Sequence, residues 1–243
     1  LQSYEQISEM LHNVQQYSME ISGLPLFLAV DEEGGTVARI SGQGYGIEPI
    51  EDMAAVGASG DYERAQEIGT YIGSYLSDLG FNVDFAPCAD VLTNPANTVV
   101  ARRSFGSDVA LVAEMTDLQR KAMEQEGIIG ALKHFPGHGD TDVDSHKALP
   151  VLPFTRERLD SVELYPFKEA IQAGLGGVMV GHLQVPALEP DRITPSSLSH
   201  SIVTDLLRGE LGFNGLVFTD ALVMKGVAAE SDVTVKALKA GND

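Results

Sequence analysis

Five short apolar stretches recur along the chain, and a longer segment with helically spaced apolar residues lies between each pair. The stretches cover residues 25–30, 81–87, 128–132, 176–182 and 215–220. Runs of this length fit strands better than helices, and strands that are apolar on both faces are typical of a parallel sheet covered by helices. The pattern therefore predicts five buried parallel strands.

The segments between these strands predict helices. Apolar residues over 4–22 follow helical spacing, and Asp61 and Asp108 stand at positions typical of helix N-caps. Further helices are predicted over residues 155–171, 196–211 and 233–239. Regular alternation of strands and helices indicates an α/β fold, and either a doubly wound sheet or a (β/α)8 barrel fits it.

Polar residues concentrate where the apolar strands end. The strand ends carry Asp31, Asp90, the pair Lys133 and His134, His182, and Asp220. In a barrel these carboxyl ends converge on one mouth, which is where active sites lie, whereas no glycine fingerprint supports a nucleotide-binding sheet. We therefore predict a (β/α)8 TIM-like barrel. Because a barrel needs eight strands, residues 1–243 are expected to form a single incomplete barrel domain that lacks the first strand and the last strands.

A loop rich in histidine and aspartate follows the third strand. Residues 133–146 read KHFPGHGDTDVDSH and contain three of the six histidines. Alternating aspartates resemble the start of a calcium loop, but Ser145 and Val151 stand where that loop requires Gly and Glu. Calcium is therefore excluded.

Two interpretations of this loop remain. Zinc bound by His134, His138 and His146 is disfavoured, because a Pro-Gly pair prevents the first two from sharing a helix face. Acid/base chemistry is favoured, because Asp144 stands two residues from His146, where it could orient the imidazole and raise its proton affinity. We accordingly predict no metal and no cofactor.

Composition narrows the possible partners. The 243 residues carry a net charge of −19, which argues against nucleic acid or an anionic membrane. Cys88 is the only cysteine, so no disulfide can form within the chain. No apolar run approaches the ~20 residues of a membrane span. A cytoplasmic location is expected, or an exported or cell-surface one if a preceding segment carries a signal.

Several motifs together resemble one enzyme family. One motif is the run KHFPGHGDTDVDSH, which is followed by LPVL. Along the chain there are four more motifs: VDEEGG at 30–35, RSFG at 103–106, MVGH at 179–182 and FTDAL at 218–222. Their order along the chain is the order in which they occur in that family. Over nearly its whole length the chain resembles the β-N-acetylglucosaminidase branch of glycoside hydrolase family 3. The resemblance implies a (β/α)8-like barrel and hydrolysis with retention of configuration.

The resemblance also assigns expected roles. It implies that Asp220 is the catalytic nucleophile, that His146 is the general acid/base and that Asp144 is its dyad partner. The residues it implies as sugar contacts are Asp31, Arg103, Lys133, His134 and His182. Two departures, Glu32 where Gln is common and Ala221 where a second acid is frequent, remove no catalytic group.

Three functions are consistent with the sequence. The first is an exo-acting, retaining β-N-acetylglucosaminidase that removes terminal N-acetylglucosamine from peptidoglycan fragments of the GlcNAc-MurNAc type. The second is a β-N-acetylglucosaminide phosphorylase, because a histidine acid does not repel an incoming phosphate as a carboxylate would. The third is a sugar-binding module without catalysis.

Overall fold

The protein is described here from a computed structural model, which covers residues 3–141, 148–190 and 192–243. The strands are β1 (Ala29–Val30), β2 (Val83–Asp84), β3 (Ile129–Phe135), β4 (Gly177–Val180) and β5 (Leu216–Thr219). The α-helices are α1 (Tyr4–Ser22), α2 (Met53–Ser59), α3 (Tyr62–Leu79), α4 (Val109–Gln125), α5 (Arg156–Ser161), α6 (Tyr165–Gln172) and α7 (Val233–Ala240).

The strands form one parallel sheet in the order β1-β2-β3-β4-β5. The α/β class and the five predicted strands are confirmed. A doubly wound sheet reverses its strand order at a switch point, whereas a barrel keeps its strands in chain order. The sequential order is therefore consistent with the barrel interpretation, and the described residues form a parallel sheet of five strands.

The first strand is shorter than the predicted range of 25–30. Leu26 is exposed, and its backbone bonds to side chains instead of to a strand: its N–H donates to Gln15, and its carbonyl accepts from the side-chain amides of Gln15 and Asn82. Ladder pairing with β2 consequently begins only at Ala29.

Two predicted helices differ in detail. The segment 155–171 forms α5 and α6 rather than one helix, and Pro166 stands in the first turn of α6, where its missing N–H is tolerated. The segment 196–211 divides into the 3-10 turn Ser196–Leu198 and the π-helix Ser201–Glu210. The sequence pattern does not predict helix α2, because its seven residues form too short a segment for a helical period to be recognised.

The helices pack closely enough to exclude side chains at one contact. A Cβ atom added to Gly69 of α3 would lie 2.2 Å from the backbone oxygen of Gln119 in α4. A glycine at this position therefore lets the two helix backbones approach closely.

Among the described residues, no helix combines the length and the apolarity that crossing a bilayer requires.

Candidate active site

The carboxyl edge of the sheet gathers the polar residues that the sequence placed at strand ends. Asp31 follows β1, Lys133 and His134 lie within β3, and Asp220 follows β5 directly. Because the five strands are parallel, these side chains share one edge.

Lys133 is a buried cation held by two carboxylates. Its side chain is 2% exposed, and its Nζ lies 2.8 Å from Asp31 Oδ1 and 2.6 Å from Glu33 Oε1. Burial of an unpaired ammonium group would be costly, so these carboxylates are what allow the charge to remain there. Burial acts to lower the pKa of Lys133, but Glu33 and Asp31 outweigh it and raise the pKa above its ordinary value.

Glu33 also binds Arg103 through two parallel hydrogen bonds. Arg103 Nε donates to Glu33 Oε2 at 2.8 Å, and Arg103 Nη2 donates to Oε1 at 2.7 Å. This fork geometry fixes the plane of the guanidinium group. Burial opposes ionisation of Glu33, yet Lys133 and Arg103 lower its pKa to about 2.

Asp90 contacts His134 from the opposite side. Its Oδ2 lies 2.7 Å from His134 Nδ1, and its Oδ1 accepts the backbone N–H of the same residue at 3.1 Å. Burial opposes ionisation of Asp90, but contact with His134 and His138 holds the pKa of the carboxyl well below its usual range.

These contacts join into one chain of charged and polar groups, because Arg103 Nη2 lies 3.3 Å from His134 Nε2. We call the chain the strand-end network; its members are, in order, Asp31, Lys133, Glu33, Arg103, His134 and Asp90. Four of the predicted sugar contacts belong to it. The sequence places Asp90 at a strand end but assigns it no specific role, and it does not single out Glu33, although a buried Lys or Arg at a strand end implies a buried acid nearby.

Replacement of Glu33 by Gln should weaken the fold and change its response to acid. The native pKa of about 2 lies below the ordinary value of 4.5, so the stabilisation is complete above pH 4.5 and is lost as the pH falls towards 2. A shift of this size corresponds to roughly 3 kcal/mol. Urea unfolding from pH 7 to pH 3 should show a lower free energy of unfolding at pH 7 and a shallower decline. The exposed Glu63→Gln is the control, and equal curves for both variants would contradict the expectation.

Asp220 is held at the end of β5. Its backbone N–H donates to the carbonyl of Val180 at 2.9 Å, and the N–H of Ala221 donates to Asp220 Oδ1 at 2.7 Å. Burial acts to raise the pKa of Asp220, but the Ala221 N–H lowers it below its ordinary value. Lys133 contributes in the same direction, so the carboxylate is ionised at neutral pH.

His182 holds the segment that carries Asp220. Its ring is fully buried, with Nδ1 2.7 Å from Ser197 Oγ and Nε2 3.0 Å from the carbonyl of Ala221. A carbonyl only accepts, so Nε2 carries a proton and donates it to the Ala221 carbonyl. The predicted sugar contact of His182 remains a prediction.

The predicted acid/base dyad, Asp144 and His146, lies outside the described residues. The chain just before it is anchored, because Asn97 donates its side-chain amide to the His138 carbonyl at 2.7 Å and Thr141 Oγ1 lies 2.6 Å from His138 Nδ1.

Glu32, which stands where Gln is common, has a structural explanation. Its buried carboxylate accepts backbone N–H groups from the following loop, namely those of Arg39, Ile40 and Ser41. The hydroxyl of Tyr75 donates to Oε1 at 2.7 Å. Glu32 thus fixes the conformation of the loop after β1. The presence of Glu instead of Gln at this position does not alter the neighbouring residues Asp31 and Glu33.

One group in the described part of the chain has metal-binding atoms in reach of one another. The ligand atoms of Cys88, Asp90 and His134 all lie within 4.8 Å. They hydrogen-bond among themselves, since Cys88 Sγ donates to Asp90 Oδ2 at 3.3 Å. Burial and the Asp90 carboxylate raise the pKa of the Cys88 thiol well above its usual range, which disfavours the thiolate that a metal would bind.

Comparison with known proteins decides the family. A profile described as the Glycosyl hydrolase family 3 N terminal domain matches residues 1–243. The chain belongs to glycoside hydrolase family 3. It is 41% identical to Beta-hexosaminidase A of Pseudoalteromonas piscicida, over 91% of this chain and 40% of that protein. It is 37% identical to Beta-hexosaminidase LpqI of Mycobacterium tuberculosis, over 90% of this chain and 58% of that protein.

A solved structure of the same family is similar in fold. It is described as a glycoside hydrolase family 3 beta-N-acetylglucosaminidase from Paenibacillus sp. str. FPU-7, and it is 41% identical with a TM-score of 0.95. The match covers 99% of this chain and 46% of that one. The resemblance drawn from the motifs is confirmed. The chain spans only part of the length of the relatives that it matches. The roles of individual residues stay predictions.

Proposed function

We propose that this chain forms the catalytic part of a retaining exo-β-N-acetylglucosaminidase, within a (β/α)8 barrel. The observation that supports it best is the position of Asp220 directly after β5, at the same carboxyl edge of the sheet as Lys133 and His134. A carboxylate fixed at the end of a rigid strand suits nucleophilic attack at an anomeric carbon. The names of the relatives, beta-hexosaminidase and beta-N-acetylglucosaminidase, agree with this chemistry.

The reaction divides into two displacements. In the first, Asp220 forms a bond to the anomeric carbon while the glycosidic bond breaks, and the His146 imidazolium gives its proton to the leaving oxygen. In the second, neutral His146 takes a proton from water, which attacks the anomeric carbon and releases Asp220. Asp144 orients the imidazole in both steps. Two inversions leave the sugar with its original β configuration.

The groups around Asp220 are suited to binding a sugar substrate. Carboxylate, guanidinium and ammonium groups that already hold fixed positions can bind sugar hydroxyls and an acetamido group with little reorganisation. We propose a terminal N-acetylglucosamine on a small peptidoglycan fragment of the GlcNAc-MurNAc type. Catalysis in the cytoplasm remains a prediction from the sequence.

Phosphorolysis is the second candidate, and the local charge argues against it. Phosphate would need unneutralised positive charge beside Asp220. Lys133 already contacts two carboxylates, and Arg103 is paired with Glu33. The strand-end network therefore offers little net positive charge to an anion.

Product analysis tests the proposal. The natural polypeptide that contains these residues is incubated with p-nitrophenyl N-acetyl-β-glucosaminide, with and without phosphate, and early products are followed by proton NMR. Free N-acetylglucosamine that appears first as the β anomer supports retaining hydrolysis. N-acetylglucosamine 1-phosphate would indicate phosphorolysis, an initial α anomer would exclude retention, and sugar binding without turnover would indicate a binding module.

A further inference from the structure

We propose that Asp90 is a positioning residue that sets which imidazole nitrogen of His134 carries the proton, and thereby fixes the contact between His134 and Arg103. The inference rests on the proposed function, because it takes Arg103 and His134 to be sugar contacts. Asp90 itself acts without touching the sugar.

The Asp90 carboxylate is locked in one orientation. It is 0% exposed, and its Oδ1 accepts two backbone N–H groups, from His134 at 3.1 Å and from His138 at 2.7 Å. With Oδ1 held by two donors, Oδ2 must point towards His134 Nδ1, at 2.7 Å, and towards the Cys88 thiol, at 3.3 Å. Both groups at Oδ2 can donate, as an ionised carboxylate requires.

The other face of the imidazole settles where the proton lies. Arg103 Nη2 is 3.3 Å from His134 Nε2, and a guanidinium group has donors only. Nε2 must therefore present its lone pair, and the single proton of the neutral ring lies on Nδ1, facing Asp90. The ionised acid on one side and the cation on the other select the same tautomer.

This arrangement holds the guanidinium group of Arg103 from two directions. Glu33 fixes two of its N–H groups, and His134 Nε2 accepts another contact from Nη2. A guanidinium group that is preset in this way binds a sugar oxygen without first losing rotational freedom. Asp90 thus influences substrate binding through two intervening side chains.

Asp90→Asn is the informative variant, because it keeps the shape of the side chain and replaces one hydrogen-bond acceptor by a donor. The Asn oxygen should stay at the Oδ1 position, where two backbone donors require an acceptor, so its NH2 group faces His134 Nδ1. Nδ1 must then accept, the ring proton moves to Nε2, and Nε2–H confronts the N–H of Arg103. We expect the contact between His134 and Arg103 to be lost.

Nitrogen-15 NMR of the histidine rings measures the tautomer directly in the natural polypeptide, with His134→Ala used to assign the signals. The parent should show a protonated Nδ1 and a bare Nε2, and Asp90→Asn should show the reverse. A bare Nδ1 in the parent overturns the proposal whether or not the variant folds. An unchanged tautomer in a folded Asp90→Asn also overturns it.

Kinetics separate positioning from general structural support. Asp90→Asn should lower kcat/KM and the affinity for N-acetylglucosamine about 10- to 100-fold. In a His134→Ala background the same substitution should lower both quantities less than about threefold, because His134, through which Asp90 acts on Arg103, is absent. Cys88→Ala removes the other contact of Oδ2 and should change either quantity less than about threefold. An equal cost in both backgrounds would contradict the proposal. If the parent bound the sugar but did not hydrolyse it, the NMR and affinity results would still decide on Asp90.

Discussion

Replacement of Asp220 by Ala should lower kcat by about 10⁴-fold or more, since loss of a catalytic nucleophile costs factors of this size. The carboxylate is bound mainly by its own neighbour, through the N–H of Ala221, so its removal should leave the fold intact. Turnover of an activated N-acetylglucosaminide and binding of N-acetylglucosamine are measured side by side. Turnover should be lost, and binding should be kept within about tenfold.

Azide distinguishes a missing nucleophile from a damaged site. Sodium azide can enter the space of the deleted carboxylate and attack the same face of the anomeric carbon. In Asp220→Ala it should restore turnover and yield the α-glycosyl azide, because only one displacement occurs. Asp205→Asn, at a side chain 65% exposed, is the control and should behave as the parent. Retention of a tenth of the parent turnover by Asp220→Ala, without azide, would refute the nucleophile assignment.

Replacement of Lys133 by Met should have the second-largest effect, on both stability and catalysis. Met keeps the apolar stem but removes the charge, so Glu33 loses one of its two cations and Asp31 loses the one at 2.8 Å. Removing one partner of a buried ion pair costs about 3–5 kcal/mol. Urea unfolding should report a loss of this order, and kcat/KM should fall at least about 100-fold.

Lys121→Met is the matched control for that substitution. Lys121 pairs with Asp117 at 2.6 Å, but its side chain is 48% exposed, and exposed pairs contribute about 0–1 kcal/mol. The double variant Lys133→Met/Glu33→Gln should recover part of the stability lost by Lys133→Met, because it removes the acid together with the cation. A similar loss for Lys133→Met and Lys121→Met would show that the strand-end network contributes little.

The sheet could be predicted because its strands are continuous apolar runs that end in polar residues. The parallel arrangement then placed Asp31, Lys133 and Asp220 at one edge without any knowledge of loop structure. Strand bounds were harder, because the side chains of Gln15 and Asn82 hydrogen-bond to the backbone of Leu26 in place of a neighbouring strand. Such contacts between distant positions leave no periodic signal in the sequence.

The acids within the site could not be assigned from sequence for a related reason. Glu33 and Asp90 matter because they are buried against cations or imidazoles that come from other strands and loops. In a sequence, an aspartate or glutamate beside a turn is most often a solvated group. Only the three-dimensional arrangement shows that each one joins two of the predicted sugar contacts or fixes one of them.

The mutual contacts of charged and polar groups along the strand-end network also limit how such a protein can diverge. Each interior member contacts a neighbour on both sides, so a single substitution leaves a desolvated group without its complement. Neutral drift is then blocked at these positions unless two mutations arise together. Homologous sequences should accordingly carry either all of these residues or paired replacements of residues that contact each other. Sequences in which only one residue of a contacting pair is replaced should be rare.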